Sequence, residues 1–372
     1  MVIDSRFLSD AGAVLALAKP NQHVGIMEYV LVDPTADGTV LVTAKTPSIS
    51  ASFICRVVVP PIKPVCFLAQ PLLSILKTMP AEAKIEIVAS KTKKGMATVT
   101  GDGLTADLPI VAPGEFPKIL SQGGENGSQI DPKQLLEVIR MGSIICDSES
   151  QNFFFQSPVC GPSGVVAAAH HGVVLDRSIK MDNPTQINIS GKDSLSSLAK
   201  SGKQITVSPA TGQVIFSSKD AGFVAQSCGF DIGGAQKIYD SVFGVIDGAS
   251  KETVISSFQT TVDVMIACVR RVMLSNTYVM KMESDGTSIK MSASGDGMTG
   301  GEMQKIDSMQ EIAIEAEKFE TNFGPKQLMQ MLSVIDGEIE VKMVVNPKNP
   351  DFPPAMYIIS SSKEVILQSL QV

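Results

Sequence analysis

The sequence predicts an α+β protein made of three similar domains in tandem, and a repeated pattern along the chain is the main reason. An apolar strand, a short helix with two leucines on one face and a strand of alternating apolar residues follow one another at Phe67–Val88. The same order of elements returns at Ile187–Val207 and at Ile314–Val345. The copies lie roughly 125 residues apart, which is the size of a domain and far longer than the period of a solenoid.

A second kind of unit, a helix followed by strands, opens each third of the chain. The predicted helices are Arg6–Ala18, Pro132–Met141 and Thr261–Met273. The third of these has apolar residues at helical spacing along one face, and the second follows Asp131, a residue type that caps helix N-termini. Each third therefore contains two half-units, and the chain contains six. The strands predicted after these helices cover residues 25–32 and 39–44, 152–157 and 164–169, and 277–283 and 288–294.

Two stretches rich in glycine, proline and small residues are predicted to be linkers. They cover residues 113–128 and 244–250, and such residues mark turns and loops. We therefore predict three domains of similar size, at residues 1–122, 123–250 and 251–372.

Composition narrows the class of protein. Hydrophobic residues make up 44% of the 372 residues, enough for a core in each third. The net charge of −7 argues against a protein that coats nucleic acid with its whole surface. The six cysteines form no CxxC pair, so we expect no metal site. Their scattered positions and an N-terminus that does not resemble a signal peptide favour a protein of a reducing compartment. No apolar stretch approaches the ~18 residues of a membrane span, so we expect a cytoplasmic protein without a cofactor.

Two motifs suggest chemistry, and each has a plainer interpretation. Gly295–Gly300 matches G-x-G-x-x-G, but a dinucleotide site needs a helix directly after it. The residues that follow alternate like a strand, so we predict a loop. His170 and His171 would point to opposite faces of a strand, and no nucleophile accompanies them. A hydrolase using His170 or His171 is one alternative function, and a structural scaffold of tandem β-rich domains is another.

Basic residues of this acidic chain lie on or beside the predicted helices. Taken singly, each is an ordinary surface charge, and the macrodipole favours cations such as Arg270 and Arg271 near a helix C-terminus in any case. Taken together, they indicate that the helices carry the basic face of the protein. The six that we select are Lys77, Lys133, Arg140, Lys200, Arg270 and Arg271.

With these elements in order, the chain resembles the bacterial DNA polymerase beta sliding clamp over nearly its whole length. Pro113–Pro117 resembles the (D/E)-F-P close of that family's first domain. Ala168–Leu175 lies where the family has A-T-D-G-H-R-L, and Phe323–Leu328 resembles the F-N-x-x-Y-L start of a helix in its third domain. Thr43–Ala51 and Phe67–Ile85 resemble a strand–turn–strand and a helix–strand of the first domain. The order and spacing of these matches, rather than any one of them, carry the resemblance.

The resemblance implies a head-to-tail homodimer that closes into a ring of six domains, with helices lining the hole and sheets outside. The six basic residues would then face the phosphates of double-stranded DNA without reading its sequence. The replicative DNA polymerase and the clamp loader would bind through short peptide motifs. The protein would have no catalytic activity and no membrane contact. The origin, cellular or phage-encoded, stays open.

The resemblance also implies an apolar cleft between the second and third domains that takes those peptides. Two features depart from the family, namely Val173-Val174 in place of His-Arg and a C-terminus of Leu367–Val372 in place of a Met-Pro-Met-Arg-Leu type ending. A different peptide preference is therefore expected. By position, the partner-peptide residues would be His170, Gly172, Leu175, Tyr239, Val242, Val365 and Leu367.

Overall fold

The structure is a computed structural model of the 372-residue chain. It describes every residue except 21–23, 48, 81, 118–126, 201–203, 211–212, 219–221, 228–231, 276–277, 300–301, 346–353 and 371–372.

The predicted α+β class and the six half-units are confirmed, because a strand, a helix and three further strands follow one another six times. In the first third, the first half-unit consists of β1 (Val2–Asp4), α1 (Ser5–Leu17), β2 (Tyr29–Pro34), β3 (Val40–Lys45) and β4 (Ile49–Cys55). The second consists of β5 (Val65–Leu68), α2 (Ala69–Thr78), β6 (Lys84–Ala89), β7 (Met96–Gly101) and β8 (Leu104–Val111).

The middle third has the same order with two added helices. Its first half-unit consists of β9 (Ser128–Ile130), α3 (Pro132–Ile145), the short α4 (Phe153–Gln156), β10 (Val159–Gly161), β11 (Gly164–Ala169) and β12 (Gly172–Asp176). Its second consists of β13 (Thr185–Gln186), a 3₁₀ turn at Ile189–Gly191, α5 (Lys192–Lys200), β14 (Ile205–Ala210), β15 (Gln213–Ser218) and β16 (Gly222–Ser227), followed by α6 (Ile232–Ala249).

The last third repeats the order once more. Its first half-unit consists of β17 (Thr253–Thr261), α7 (Val262–Val272), β18 (Met280–Ser284), β19 (Ile289–Thr299) and β20 (Glu302–Ile312). Its second consists of β21 (Phe319–Phe323), α8 (Pro325–Leu332), β22 (Glu338–Val345), β23 (Ala355–Ile359) and β24 (Lys363–Leu367). Further 3₁₀ turns lie at Gly25–Glu28, Pro113–Glu115 and Met273–Ser275.

The two half-units of each third exchange their first strands. In the first third, β1 pairs with β6 of the second half-unit, and β5 pairs with β2 of the first. The same exchange pairs β9 with β14 and β13 with β10, and then β17 with β22 and β21 with β18. All of these pairings are antiparallel, so each half-unit depends on its neighbour for a complete sheet.

The outer strands of successive thirds also pair, and we call these two pairings the seams. Strand β4 pairs with β16, and β12 pairs with β24, both antiparallel. The first seam and a short pairing of β5 with β8 join three half-unit sheets into one sheet of 12 strands. The second seam joins two more into a sheet of 8, and β18 to β21 form a sheet of 4.

By its contacts, the chain divides into two compact units that cut across the predicted domains. The first unit comprises Met1–Ile139 and Ser190–Asp231, and the second comprises Arg140–Ile189 and Ile232–Val372. Each unit contains one seam. The domain boundaries near residues 122 and 250 stay a prediction.

Local sequence signals account for the ends and the buried faces of the helices. Asp4 caps α1, where its carboxylate accepts a hydrogen bond from the Arg6 backbone N–H at 3.0 Å. Thr261 caps α7 in the same way through the Val264 backbone N–H at 3.3 Å. Pro325 occupies the first turn of α8, where its missing N–H costs nothing. The side chains that α1 buries share one face and are Phe7, Ala11, Val14 and Leu15.

The predicted linker at residues 244–250 is wrong, because those residues form the last turns of α6. Apolar residues at helical spacing, Ala235, Tyr239 and Ile246, are buried on one face of this helix. A Cβ on Gly244 or Gly248 would meet nothing within 4 Å, so both glycines lie on its open face. A glycine within a helix costs only about 1 kcal/mol relative to alanine, and the buried face outweighs that cost.

Two further local predictions are wrong. The segment 152–157 was expected to be a strand, but it contains the helix α4, so a run of aromatic residues favoured the wrong element. The glycine motif at Gly295–Gly300 was expected to be a loop, but its first five residues lie in β19, paired with β20. No helix in the described part of the chain is long and apolar enough to cross a membrane.

Candidate functional site

A cleft of about 240 Å³ opens in the second unit where the turn between β11 and β12 approaches α6 and the end of β24. We call it the hairpin cleft. Its polar groups are Asn152, His170, Ser241 and Gln368, so histidine is the one titratable side chain among its lining residues. Its apolar lining includes Phe155, Ala168, Val173, Val245 and Ile366.

The hairpin turn at the edge of the cleft is held by contacts on several sides. A Cβ on Gly172 would lie 2.6 Å from the Cε atom of Met331 in α8, so glycine permits this close approach. The His170 ring lies against the Phe155 ring with centroids 4.6 Å apart, a distance typical of ring pairs. The Gln368 backbone N–H donates to the His171 carbonyl at 2.8 Å. The turn is therefore fixed before any ligand binds.

Helix α6 forms the opposite wall and is anchored to the sheet by two aromatic residues. The Tyr239 hydroxyl accepts a hydrogen bond from the Ser163 backbone N–H at 2.9 Å. Its ring stacks on Phe243 with centroids 5.9 Å apart, and the Arg177 guanidinium lies 5.6 Å from the centre of the Phe243 ring. These contacts fix the helix so that Val245 faces the cleft, where it is 42% exposed.

A small charged network keeps Arg177 in place. Arg177 forms an ion pair with Glu364, and the Tyr357 hydroxyl donates to the same carboxylate. Burial by itself would raise the pKa of Glu364, but the hydrogen bonds from Arg177 and Tyr357 outweigh it and hold that pKa below its usual value. Burial, and then the hydrogen bond to Glu364, raises the pKa of Tyr357. The carboxylate therefore stays ionised and continues to orient the cation.

The structure brings two of the seven predicted cleft residues, His170 and Gly172, to the lining of the hairpin cleft. Leu175, Val365 and Leu367 are fully buried and are not among its lining residues. Tyr239 is buried behind the wall that it anchors. Val242 lies in α6, and its side chain is outside the described residues.

The residues that line the cleft instead are the strand neighbours of the predicted ones. Gly172 reaches the lining with its backbone, while a Cβ on it would point towards α8 and its partner Leu367 is buried. The side chains of the adjacent pair, Val173 and Ile366, line the cleft. Successive side chains of a strand point to opposite faces, so a shift of one position exchanges core for cleft. The sequence lacked a marker for which face α6 would cover, because the end of this helix, residues 244–249, was predicted as a linker.

Five of the six predicted DNA-facing residues are exposed on helices. Lys77 ends α2 and Lys200 ends α5, in positions that suit the helix macrodipole. Arg270 and Arg271 lie in the last turn of α7, and Arg271 also donates to the Gln310 side chain at 3.0 Å. Lys133 lies in the first turn of α3 and is exposed.

Arg140 differs from the other five because it binds backbone within the second unit. Its Nη1 atom donates to the Ser333 carbonyl at 3.0 Å and its Nη2 atom to the Val334 carbonyl at 3.3 Å, at the end of α8. The Lys363 ammonium reaches the same Val334 carbonyl at 2.7 Å and lies 3.7 Å from the Asp176 carboxylate. Two cations thus satisfy carbonyls that a helix C-terminus leaves unpaired.

The described residues offer little for catalysis by thiols or metals. Burial raises the pKa of Cys66 to about 11 and that of Cys146 to about 12, so both thiols stay protonated at neutral pH. Within the described ranges, no group of three His, Cys, Asp or Glu residues is placed to hold a metal ion.

Comparison with solved structures identifies the fold. The DNA polymerase III subunit beta from Pseudomonas aeruginosa matches with a TM-score of 0.79 at 11% identity, covering 100% of both chains. The sliding clamp from Caulobacter crescentus matches with a TM-score of 0.80 at 14% identity, and the beta subunit from Thermotoga maritima with 0.78 at 13%, each covering 100% of this chain and 99% of the other. The chain has the sliding-clamp fold. No protein-family model and no curated protein matches it by sequence.

The clamp fold confirms the resemblance stated from the sequence at the level of architecture. At 11–14% identity, the likeness extends to the backbone and not to individual side chains. The residues assigned to DNA and to the peptide cleft therefore stay predictions.

Arg140 allows a test that separates a structural cation from an exposed one. We expect Arg140→Ala to lower the free energy of unfolding by about 1–2 kcal/mol, because the Ser333 carbonyl loses its donor and the Val334 carbonyl keeps only Lys363. Lys133→Ala, at the exposed start of the same helix, is the matched control and should change it by less than ~0.5 kcal/mol. Urea denaturation of both variants measures the difference. Equal stabilities would show that the contacts of Arg140 contribute nothing.

Proposed function

We propose that the chain is a DNA sliding clamp, a ring-shaped and non-enzymatic factor that encircles double-stranded DNA and tethers the replicative polymerase. The observation that carries this proposal is the full-length clamp fold, shared by three bacterial beta subunits over 99–100% of their chains. The protein would act in the cytoplasm of a bacterial cell, including one infected by a phage that encodes the clamp.

Unpaired strand edges support closure of the ring by a second copy. Of the six outer strands, β4, β12, β16 and β24 are paired in the two seams. Among the described residues, β20 pairs only with β19, and residues 104–109 of β8 pair only with β7. An open edge invites another strand. We therefore propose that β20 of one copy pairs with β8 of the next, and that two copies close the ring head to tail.

The hairpin cleft is our proposed site for the peptide motifs of the polymerase and of the clamp loader. It has apolar walls with a few polar groups, as small-ligand and peptide sites commonly do. Val245 is 42% exposed there, which would otherwise leave apolar surface open to water. The proposed peptide therefore carries an apolar anchor that packs between Val173, Val245 and Ile366.

The DNA contacts that we propose are the exposed helix cations Lys77, Lys133, Lys200, Arg270 and Arg271, with Arg140 as a weaker candidate because it already binds two carbonyls. Contacts with phosphates alone hold a protein on DNA at any sequence and allow it to slide. An acidic protein with a net charge of −7 would otherwise be repelled by DNA.

Encirclement predicts retention on closed DNA that depends on topology. Dissociated chains are allowed to reassociate in the presence of a nicked circular plasmid and are then separated by size in high salt. We expect retention on the circle and loss within minutes of linearisation by one restriction cut, because a ring can leave only over an end. High salt removes simple phosphate binding. Equal retention on linear and circular DNA, or none on either, would contradict a clamp, and a dimer that ignores DNA would favour the scaffold.

Charge reversal tests the proposed DNA-facing residues. The double variant Lys133→Glu and Lys200→Glu should weaken DNA binding at every sequence and reduce the slope of log K against log salt by about 2, one for each lost phosphate contact. The matched control is Lys63→Glu with Lys180→Glu, two exposed lysines in the loops that follow β4 and β12. Fluorescence anisotropy over a salt series measures both. A control that weakens binding as much as the helix variant would remove the helices as the DNA-binding surface.

Mutations distinguish residues that line the hairpin cleft from residues that support the core. A change in the lining should affect peptide binding, and a change in the core should affect stability. Val245→Glu should abolish binding of a polymerase tail peptide and leave the melting temperature within ~2 °C of the parent, because the side chain lies at the surface of α6. Leu367→Ala removes a fully buried side chain and should cost ~2–5 kcal/mol of stability. Calorimetry of unfolding and of peptide binding gives both quantities. Normal peptide binding by Val245→Glu would place the peptide site elsewhere.

A further inference from the structure

The residue-by-residue pairing in the two seams follows one rule, and the same rule can be applied to the open edges of β8 and β20. Residues that are directly opposite one another across a half-unit sheet form a row of four. In the sheets ending in β4, β12 and β20, one such row begins three residues before a helical segment: Ala69 of α2, Ile189 of the 3₁₀ turn and Pro325 of α8. These rows are Cys66, Leu31, Thr43 and Ser52; Gln186, Val159, Val166 and Leu175; and Asn322, Lys281, Ser292 and Met309.

The other three sheets follow the same rule. Their rows begin three residues before the first residues of α1, α3 and α7, which are Ser5, Pro132 and Val262. The rows are Val2, Glu86, Thr100 and Thr105; Gln129, Thr206, Ser217 and Phe223; and Gln259, Glu340, Ile359 and Glu364. Ser52, Leu175 and Met309 are therefore equivalent positions, and so are Thr105, Phe223 and Glu364.

Both seams join these equivalent positions directly. Ser52 is opposite Phe223 in the first seam, and Leu175 is opposite Glu364 in the second. Among the described residues, the row ends without a strand partner on their outer side are Met309 in β20 and Thr105 in β8. We infer that a second copy of the chain closes the third seam with Met309 opposite Thr105, a register that rests on the proposed ring and adds its atomic alignment.

The faces of the two strands agree with this register. The Ser308 hydroxyl donates to the Val272 carbonyl of α7 at 2.7 Å, so Met309 and Asp307 face away from that helix. Leu108 is fully buried, so Asp107 and Thr105 face away from the core. The inferred pairing matches outer face with outer face. A slip of one residue would place core-facing side chains opposite solvent-facing ones along the whole seam.

The register has an electrostatic consequence. Because the two strands are antiparallel, pairing Met309 with Thr105 also places Asp307 of one copy opposite Asp107 of the other. Like charges directly opposite one another destabilise an antiparallel pair. Asp107, however, forms an ion pair with Lys93 at the edge of the sheet, and this lysine is still 61% exposed. Lys93 thus lies where it can neutralise both carboxylates, which assigns the basic turn between β6 and β7 to the interface between copies.

Disulfide cross-linking tests the register. Antiparallel partners have Cα atoms 4.5–5.5 Å apart, within the range that a disulfide spans. A Thr105→Cys chain mixed with a Met309→Cys chain should give a covalent dimer on mild oxidation. Ala106→Cys mixed with Met309→Cys is the slipped control, whose side chains point to opposite faces and should not bond. The unmodified chain, with its six native cysteines, is the blank.

A double-mutant cycle tests the role of Lys93. Lys93→Ala should raise the dimer dissociation constant by about fivefold, because a carboxylate of each copy loses its counter-charge. The same substitution in an Asp307→Asn chain should raise it by less than about twofold. Lys94→Ala, in the same turn, is the matched control. Sedimentation over a dilution series gives the constants.

The outcomes separate this inference from the proposed function. A chain that stays monomeric at every concentration would overturn the ring, and the register with it. A dimer that cross-links at the slipped pair, or at neither pair, would overturn the register and leave the clamp proposal standing. Equal effects of Lys93→Ala in both backgrounds would remove Asp307 from contact with that lysine.

Discussion

The need of outer strands for backbone partners is the constraint on which the rest of this structure depends. Every half-unit ends in a strand with one row of N–H and C=O groups turned outward, and groups of this kind must be paired or solvated. The chain pairs four of its six outer strands within itself, through β4 with β16 and β12 with β24. Strands β8 and β20 are the remaining two. By their place in the half-units, β20 is equivalent to β4 and β12, and β8 is equivalent to β16 and β24, so these two strands correspond to the two partners of each seam. The proposed head-to-tail assembly therefore depends on backbone pairing and not on any particular side chain.

The second seam shows how side chains are used once the backbone has been joined. Lys363 and Asp176 are directly opposite in β24 and β12, both are almost fully buried, and they lie 3.7 Å apart. A buried pair of this kind offsets its desolvation only when further hydrogen bonds complete it. Those bonds exist, because Ser178 donates to Asp176, and Lys363 donates to the last turn of α8. Charge at the seam thus orients a helix as well as a strand.

Local signals in the sequence predicted most of the fold. The half-units followed from apolar periodicity, and Asp131 and Pro132 marked the start of α3 to the residue. Features that depend on contacts between residues distant in sequence were predicted less well. The glycines of α6 predicted a linker, because the burial of Tyr239 against the sheet was not visible in the sequence. Arg140 was grouped with the exposed cations, although its partners at Ser333 and Val334 lie far along the chain.

The candidate cleft illustrates the same limit. The two residues predicted from the turn, His170 and Gly172, line it, because a turn is a local feature. Along β12 and β24, the choice between alternate residues depends on which face α6 covers, and that is a tertiary property. Val365 and Leu367 were chosen on the core side for this reason, whereas Leu175 shares the strand face of Val173 and is fully buried farther along β12. A resemblance in the order and spacing of elements predicts which strand reaches a site. It predicts less well which face of that strand points into the site.

These constraints explain how the fold is shared with solved sliding clamps at 11–14% identity. Pairing between backbones requires strands of suitable length and alternation, and many sequences meet that need. Phosphate contacts require positive charge at the surface, which lysine or arginine can supply from several positions along a helix. Neither requirement fixes a particular residue at a particular place, unlike the geometry of a catalytic group. What must be preserved is the register of the rows, since one slipped residue exchanges core for surface along a whole strand. Each of the six rows begins three residues before a helical segment, so the helix starts hold the six sheets in one register while the side chains between them vary.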